Sequence, residues 1–168
     1  ETSGVTAPFD VAHPFEAERD AFEQDTWFGG REVRLNAFAP VSRHQNLNDD
    51  AAVSEIAALK ADATMVFGTR RLKPAVIAAA GPNLINLHGG DPETYRGLDT
   101  HLWAIYHGEF AEIVTTLHTV NEELDDGQIV TTLPVPLSHG MALHKLRAAN
   151  TGVCIQLILS ALDELNDR

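Results

Sequence analysis

Residues 83–90 read Asn83-Leu84-Ile85-Asn86-Leu87-His88-Gly89-Gly90. A short apolar run, closed before by Gly81-Pro82 and after by two glycines, reads as a strand over 83–87. Side chains two apart on a strand share a face, so Asn86 and His88 point the same way at the strand's exit. An amide and an imidazole side by side can both donate to one oxygen, which suits a developing oxyanion. Gly89 and Gly90 follow at once and let backbone or substrate come close. A satisfied polar pair at a turn fits the same letters, because Asn and Gly are common turn residues.

Working outward, Pro74 opens a helix at a position where its missing N–H costs nothing, and Gly81-Pro82 ends it. Before it, Thr64–Phe67 is a near-continuous apolar run, expected of a strand buried on both faces. Asn48, Asp49 and Asp50 supply N-cap chemistry for a helix to about Lys60, with Val53, Ile56 and Leu59 as its apolar stripe. Val33, Leu35 and Ala37 alternate with polar neighbours and predict a strand at 33–38. Residues 16–27 read as a short helix, and 1–14 as a loop or an ordered arm.

On the other side, the loop 88–97 leads to a helix over about 98–107, with Leu98, Leu102 and Ile105 on one face and Gly108 as its stop. Residues 112–120 and 128–135 read as two further strands. Ser138 is placed to cap a long C-terminal helix with Leu143, Leu146, Val153, Leu157, Ala161 and Leu165 on its core side. The alternation predicts a layered α/β fold with a mainly parallel sheet and a single domain over 1–168. Ligands of such sheets sit at the carboxyl ends of the strands, where Asn86 and His88 lie.

The chain has 168 residues, 44% hydrophobic and 21% charged, enough for one real core. No apolar run approaches the ~20 residues that span a bilayer, and the N-terminus lacks a signal-like apolar stretch. Cys154 is the only cysteine, which fits a reducing, cytoplasmic setting. The net charge of -12 repels polyphosphate and argues against nucleic-acid partners. Arg70, Arg71 and Lys73 form a local basic cluster that either holds one anionic group or is a solvated loop. No His-Glu-x-x-His or paired-cysteine motif is present, so no metal is expected; a site from His88, Asp91 and His101 is the remote alternative. Leu124-Asp125-Asp126-Gly127-Gln128, after Asn121-Glu122-Glu123, crowds carboxylates onto an Asp-Gly hairpin turn, and a tight turn fixes a carboxylate well in space.

Taken together, Asn86-x-His88, then Tyr95-Arg96-Gly97, a helix with Trp103, Val114-Thr115-x-x-His118 and Leu124-Asp125-Asp126-Gly127-Gln128-Ile129 resemble the folate-dependent formyltransferases. Glycinamide ribonucleotide and methionyl-tRNA formyltransferases are familiar members. Asp125 follows His88 by 37 positions (125 minus 88), within the family's spacing. The resemblance runs from about Val33 to Leu162. It implies a Rossmann-like formyltransferase fold and 10-formyltetrahydrofolate as formyl donor.

By that resemblance Asn86 would donate to the formyl oxygen, His88 would stabilise the oxyanion, and Asp125 would assist proton movement from amine to leaving nitrogen. The folate would rest on backbone of the loops at 68–72 and 120–124, giving Gly68, Arg70, Leu72, Val120 and Leu124. The acceptor, a small-molecule primary amine, would meet Gly89, Gly90, Asp91, Tyr95 and Arg96, with Tyr95 able to stack on a ring. His118 is either a core histidine or a support for Asp125.

The chain departs from the family pattern twice. Residues 89–94 read Gly-Gly-Asp-Pro-Glu-Thr where the tRNA and purine enzymes carry Pro-Ser-Leu-Leu-Pro or similar. This favours other amines, such as nucleotide-linked amino sugars or amino acids in specialised metabolites. Family members also open with a βα unit before anything like 33–38, and none reads out of residues 1–32, so the sheet is expected to lack that unit. Two other functions fit the residues: a 10-formyltetrahydrofolate hydrolase with water as acceptor, and a non-catalytic folate- or sugar-binding module. The apolar face over 146–165 suits either a core or a homodimer.

Overall fold

The computed structural model describes residues 14–123 and 125–167. The arm read at 1–14 lies, save Pro14, outside the described residues, as does Leu124. Contacts divide the chain into two compact units: residues up to Gln45 with Leu137–Ala149, and Asn46–Pro136 with residues from Asn150 onward.

In the first unit, helix α1 (Pro14–Phe28) forms where a short helix was expected. Asp20 and Glu23 stand three apart, so they share a face. Both grip Arg147, at 2.7 and 2.6 Å. Phe22 meets the His144 ring edge-on at 5.5 Å. The strand predicted at 33–38 is not there. Arg34 is extended, but Leu35–Ala37 is a 3-10 turn held by Ala37 N–H to the Arg34 carbonyl. Leu35 and Phe38 are more than three-quarters exposed. A strand needs a partner and a buried face, and three alternating apolar residues supply neither.

The second unit carries a four-stranded sheet in the order β1 (Thr64–Phe67), β2 (Leu84–Gly89), β3 (Val114–Thr119), β4 (Ile129–Pro134). Helices α2 (Asp50–Leu59) and α3 (Pro74–Ala80) flank β1 in the chain. Leu72, Val76, Ala80 and Leu84 form a buried cluster, with Val53, Ile56 and Val66 against it. Leu59 is exposed, so only the first two members of the stripe read on α2 pack against the core, and both are partly buried. Asn48 does not cap α2. Its side chain receives the Lys73 N–H at 2.7 Å and donates to the Arg71 carbonyl at 3.1 Å, tying the start of α2 to the loop after β1. As an edge strand β1 is only half-buried, and Phe67 is 62% exposed, against the expectation of burial on both faces.

The expectation of an α/β layered fold holds, with a difference in strand direction. Only β1 and β2 pair in parallel; β2–β3 and β3–β4 are antiparallel. The reason lies in helix α4 (Thr100–His107). A helix of that length rises about 12 Å, less than the roughly 20 Å of β2. It returns the chain to the end where β2 finished: the Gly90 N–H donates to the Val114 carbonyl at 2.7 Å, so β3 must run back. Gly108, in the left-handed region, stops α4 as read.

Helix α5 (Leu146–Asn166) starts after a 3-10 turn at Leu143–Lys145, so Ser138 lies too far upstream to cap it. Val153 and Leu157 are buried as expected, while Leu143 is 45% exposed. Within the second unit α5 is tied to β3 by the Thr115 hydroxyl, which donates to Asn150 Oδ1. Among the described residues no helix is long and apolar enough to cross a membrane.

Candidate active site

The site is built where β2 ends. Antiparallel register sets Asn86 opposite His118. The His118 Nδ1–H donates to the Thr119 carbonyl at 2.7 Å, which leaves Nε2 as an acceptor. Asn86 Nδ2 donates to that nitrogen at 3.0 Å and to Asp125 Oδ1 at 3.3 Å. His118 therefore fixes which way the Asn86 amide faces; it is 1% exposed and lies 3.9 Å from Asp125, a position that either of its two expected roles allows.

Asp125 arrives from the loop between β3 and β4. Its backbone stands at φ 50, in the left-handed region that Asp tolerates better than most residues. Its carboxylate is 8% exposed and lies 3.6 Å from His88 Nδ1. The other carboxylate oxygen takes the Gly97 N–H at 3.0 Å. Gly127 makes this loop possible: a Cβ there would lie 1.5 Å from the Thr119 carbonyl oxygen. The hairpin read from Asp-Gly is present as a longer loop over 120–128, with a bulge between Leu117 and His118.

His88 is 5% exposed. Its Nε2–H donates to the Tyr95 carbonyl at 2.7 Å, while Nδ1 faces Asp125. Asn86, His88, His118 and Asp125 thus make one polar cluster, buried at the two histidines and half-buried at Asn86, with every buried side-chain polar atom among the described residues partnered. It can present an amide and an imidazole to a single oxygen beside a carboxylate.

The remaining predicted residues fall into two groups. An open cleft adjoins the cluster, lined by Asn86, Asp125, Arg70, Leu72 and Val120 among others. Leu72 reaches the cleft from the core, 6% exposed, and Arg70 brings a positive charge to the lining. Gly68 turns the chain at φ +61 without lining it. Arg71 is no loose surface cation: it bonds the Glu122 carbonyl at 2.6 Å and Glu123 at 3.0 Å, clasping one cleft wall to the other.

On the other side of His88, Gly89 and Gly90 pack closely on α4. A Cβ at 90 would meet Thr100 at 3.1 Å and one at 89 would meet His101 at 3.1 Å. The Asp91 carboxylate caps its own turn through the Glu93 N–H, and Arg96 pairs with Asp126 at 2.8 Å. Tyr95 stacks on His107. His101, half-buried, donates to the Val114 carbonyl, and burial holds its pKa below the usual histidine value. Among the described residues, no group of three His, Cys, Asp or Glu could hold a metal.

Sequence reading missed Thr116, which is buried and donates to the Gly90 carbonyl at 2.9 Å, and the clasp made by Arg71. A buried threonine on a strand looks like any β-former, and a clasp across 51 positions leaves no local mark.

A Formyl transferase family model matches residues 11–162. The chain belongs to this formyl transferase family. It is 28% identical over 137 residues to methionyl-tRNA formyltransferase of Parabacteroides distasonis, a match covering 82% of this chain and 42% of that one. Phosphoribosylglycinamide formyltransferase of Escherichia coli is 32% identical over 93 residues, 55% of this chain and 43% of the other. The chain thus spans less than half the length of these curated relatives. The fold is shared with the formyltransferase PseJ of Anoxybacillus kamchatkensis, solved in complex with UDP-4,6-dideoxy-4-formamido-L-AltNAc and tetrahydrofolate. That likeness has a TM-score of 0.55 at 20% identity, over 64% of this chain and 56% of that one.

Proposed function

We propose that this chain transfers a formyl group from 10-formyltetrahydrofolate to the primary amine of a small molecule. The observation that carries the reading is the convergence of Asn86, His88 and Asp125 at the end of β2, beside a cleft between the loops at 69–72 and 119–123. The cleft offers apolar walls at Val66, Leu72 and Val120 with Arg70 among its lining, which fits a flat ring system carrying a carboxylate tail.

In the reaction the acceptor nitrogen bonds to the formyl carbon and the carbonyl electron pair moves onto oxygen. Asn86 stabilises that oxyanion, joined by His88 once its Nδ1, which faces Asp125, carries a proton. The bond from carbon to the folate nitrogen then breaks, its electron pair stays on that nitrogen, and a proton lost by the acceptor amine reaches it with the help of Asp125. Both Asn86 amide protons have partners in the resting cluster, so the formyl oxygen takes over the one now at Asp125, the longer of the two bonds.

The acceptor class we assign is an amine other than a tRNA or glycinamide ribonucleotide, with amino sugars first. The Gly-Gly-Asp-Pro-Glu-Thr loop and the net charge of -12 support this. The exposed stripe Ile155, Leu159 and Leu162 on α5 is the candidate homodimer face, which sedimentation would test. The test of function is absorbance-monitored release of tetrahydrofolate with a panel of amines. Release that needs an added amine and disappears in His88→Ala supports the transferase. Release that ignores the amine supports the hydrolase, and no release from folded protein supports a binding module.

A further inference from the structure

Tyr95 is fastened at both ends. Its backbone carbonyl receives the His88 Nε2–H at 2.7 Å. Its backbone N–H donates to the Asp91 carbonyl at 2.7 Å. Its hydroxyl donates to the Glu109 carboxylate, and His107 Nδ1 donates to the same hydroxyl oxygen at 2.8 Å. The ring lies on the His107 imidazole, 5.8 Å between centroids. His107 closes α4, and Glu109 follows one residue after its Gly108 stop, with its own N–H on the Ala104 carbonyl. The far end of Tyr95 is therefore moored to a rigid helix end, and the near end is the hydrogen-bond acceptor of the candidate catalytic imidazole.

A loop carbonyl held only by its own turn would wander, and the His88 ring would wander with it. We propose that the Tyr95–Glu109 pair is a positioning strap: it anchors the loop 91–97 to the end of α4, so that the Tyr95 carbonyl holds the His88 ring in one tautomer and one orientation. Tyr95 is then a positioning residue whose ring is engaged by His107 and whose hydroxyl is engaged by Glu109, which leaves acceptor stacking to other groups. The hydrogen bond to Glu109 pushes the Tyr95 hydroxyl up to about 12, so it remains a donor across the neutral range. For catalysis this inference rests on the formyl-transfer reading; for the geometry of His88 it does not.

The test uses the whole chain with 15N-labelled histidine. Long-range proton–nitrogen spectra report which ring nitrogen of His88 carries the proton, with His88→Gln giving the assignment. The wild type is expected to show a protonated Nε2 in slow exchange. Tyr95→Phe keeps the ring and its stacking but loses the donor, and Glu109→Ala loses the anchor without touching the core. Both should leave the fold and melting temperature in place, and both should average the His88 signal between tautomers. Glu109→Gln still accepts from the hydroxyl and should restore the wild-type spectrum.

In the transfer assay the two disrupting variants should lose kcat by about ten- to a hundredfold, as misplacing a catalytic group does. The acceptor KM should stay unchanged, and the double variant should be no worse than either single one. A His88 signal identical to wild type in folded Tyr95→Phe and Glu109→Ala would overturn the strap. So would a rise in acceptor KM with kcat intact, which would put the hydroxyl on the substrate. If the folded wild type transfers no formyl at all, the proposed function fails, and the ring signal still decides on the strap.

Discussion

Asn86 has two amide protons and two acceptors waiting for them, the Nε2 lone pair of His118 and a carboxylate oxygen of Asp125. That arrangement explains why an asparagine and not an aspartate stands there. A carboxylate would face another carboxylate and an acceptor nitrogen with nothing to donate. Asn86→Ala should lower turnover on the order of a hundredfold, the usual worth of one oxyanion donor, with the melting temperature little changed. Steady-state rates and a thermal melt check both halves. Asp125→Asn is the sharper probe. Asparagine tolerates the left-handed backbone at φ 50, so the loop should keep its path while the proton-handling charge is lost. Turnover should fall by about a hundredfold or more, and the melt should not move. The pair Asn86 and His88 was legible in the sequence because strand periodicity alone sets them on one face. The Asn86–His118 contact was not, because register between strands is settled by tertiary pairing.

At the scale of elements, the loop over 120–128 is the exacting part. Gly127 passes so close to the Thr119 carbonyl that no side chain fits. Gly127→Ala should cost about 1–3 kcal/mol of stability, the range for forcing extra atoms into a packed place. It should also drag Asp125 off His88, so activity should fall further than the stability loss explains; chemical denaturation beside kinetics separates the two. Elements with a local signature were readable in advance: Pro74 and Gly81 bracket α3, and Gly108 ends α4. Features set by what lies elsewhere were not. The alternation at 33–38 needs a strand to pair with, and the direction of β3 depends on how far α4 carries the chain. The late start of α5 follows the 3-10 turn at Leu143–Lys145, which no capping letter marks.

For the molecule as a whole, one buried thiol reports on the integrity of the fold. Cys154 is 8% exposed, and burial pushes its thiol from the ordinary value near 9 up to about 11. The folded state thus holds that proton more tightly than the unfolded state. Its contribution to stability is complete below about pH 9 and is lost as the pH rises toward 11. Native protein at pH 8 should react with a thiol reagent many times slower than unfolded protein, and the rate should rise steeply above pH 10; a time course with an aromatic disulfide reads it. A native thiol that reacts at once would mean the packing around α5 is looser than described.

The central claim is that the cluster of Asn86, His88 and Asp125 moves a formyl group onto an amine. It is tested most directly by 13C NMR of the chain mixed with 10-formyltetrahydrofolate labelled at the formyl carbon and an amino-sugar panel. The labelled carbon should move to a new formamide signal on one acceptor, and His88→Ala should abolish the transfer in folded protein. A label that appears only as free formate, or that never leaves the folate in a folded wild-type sample, would contradict it.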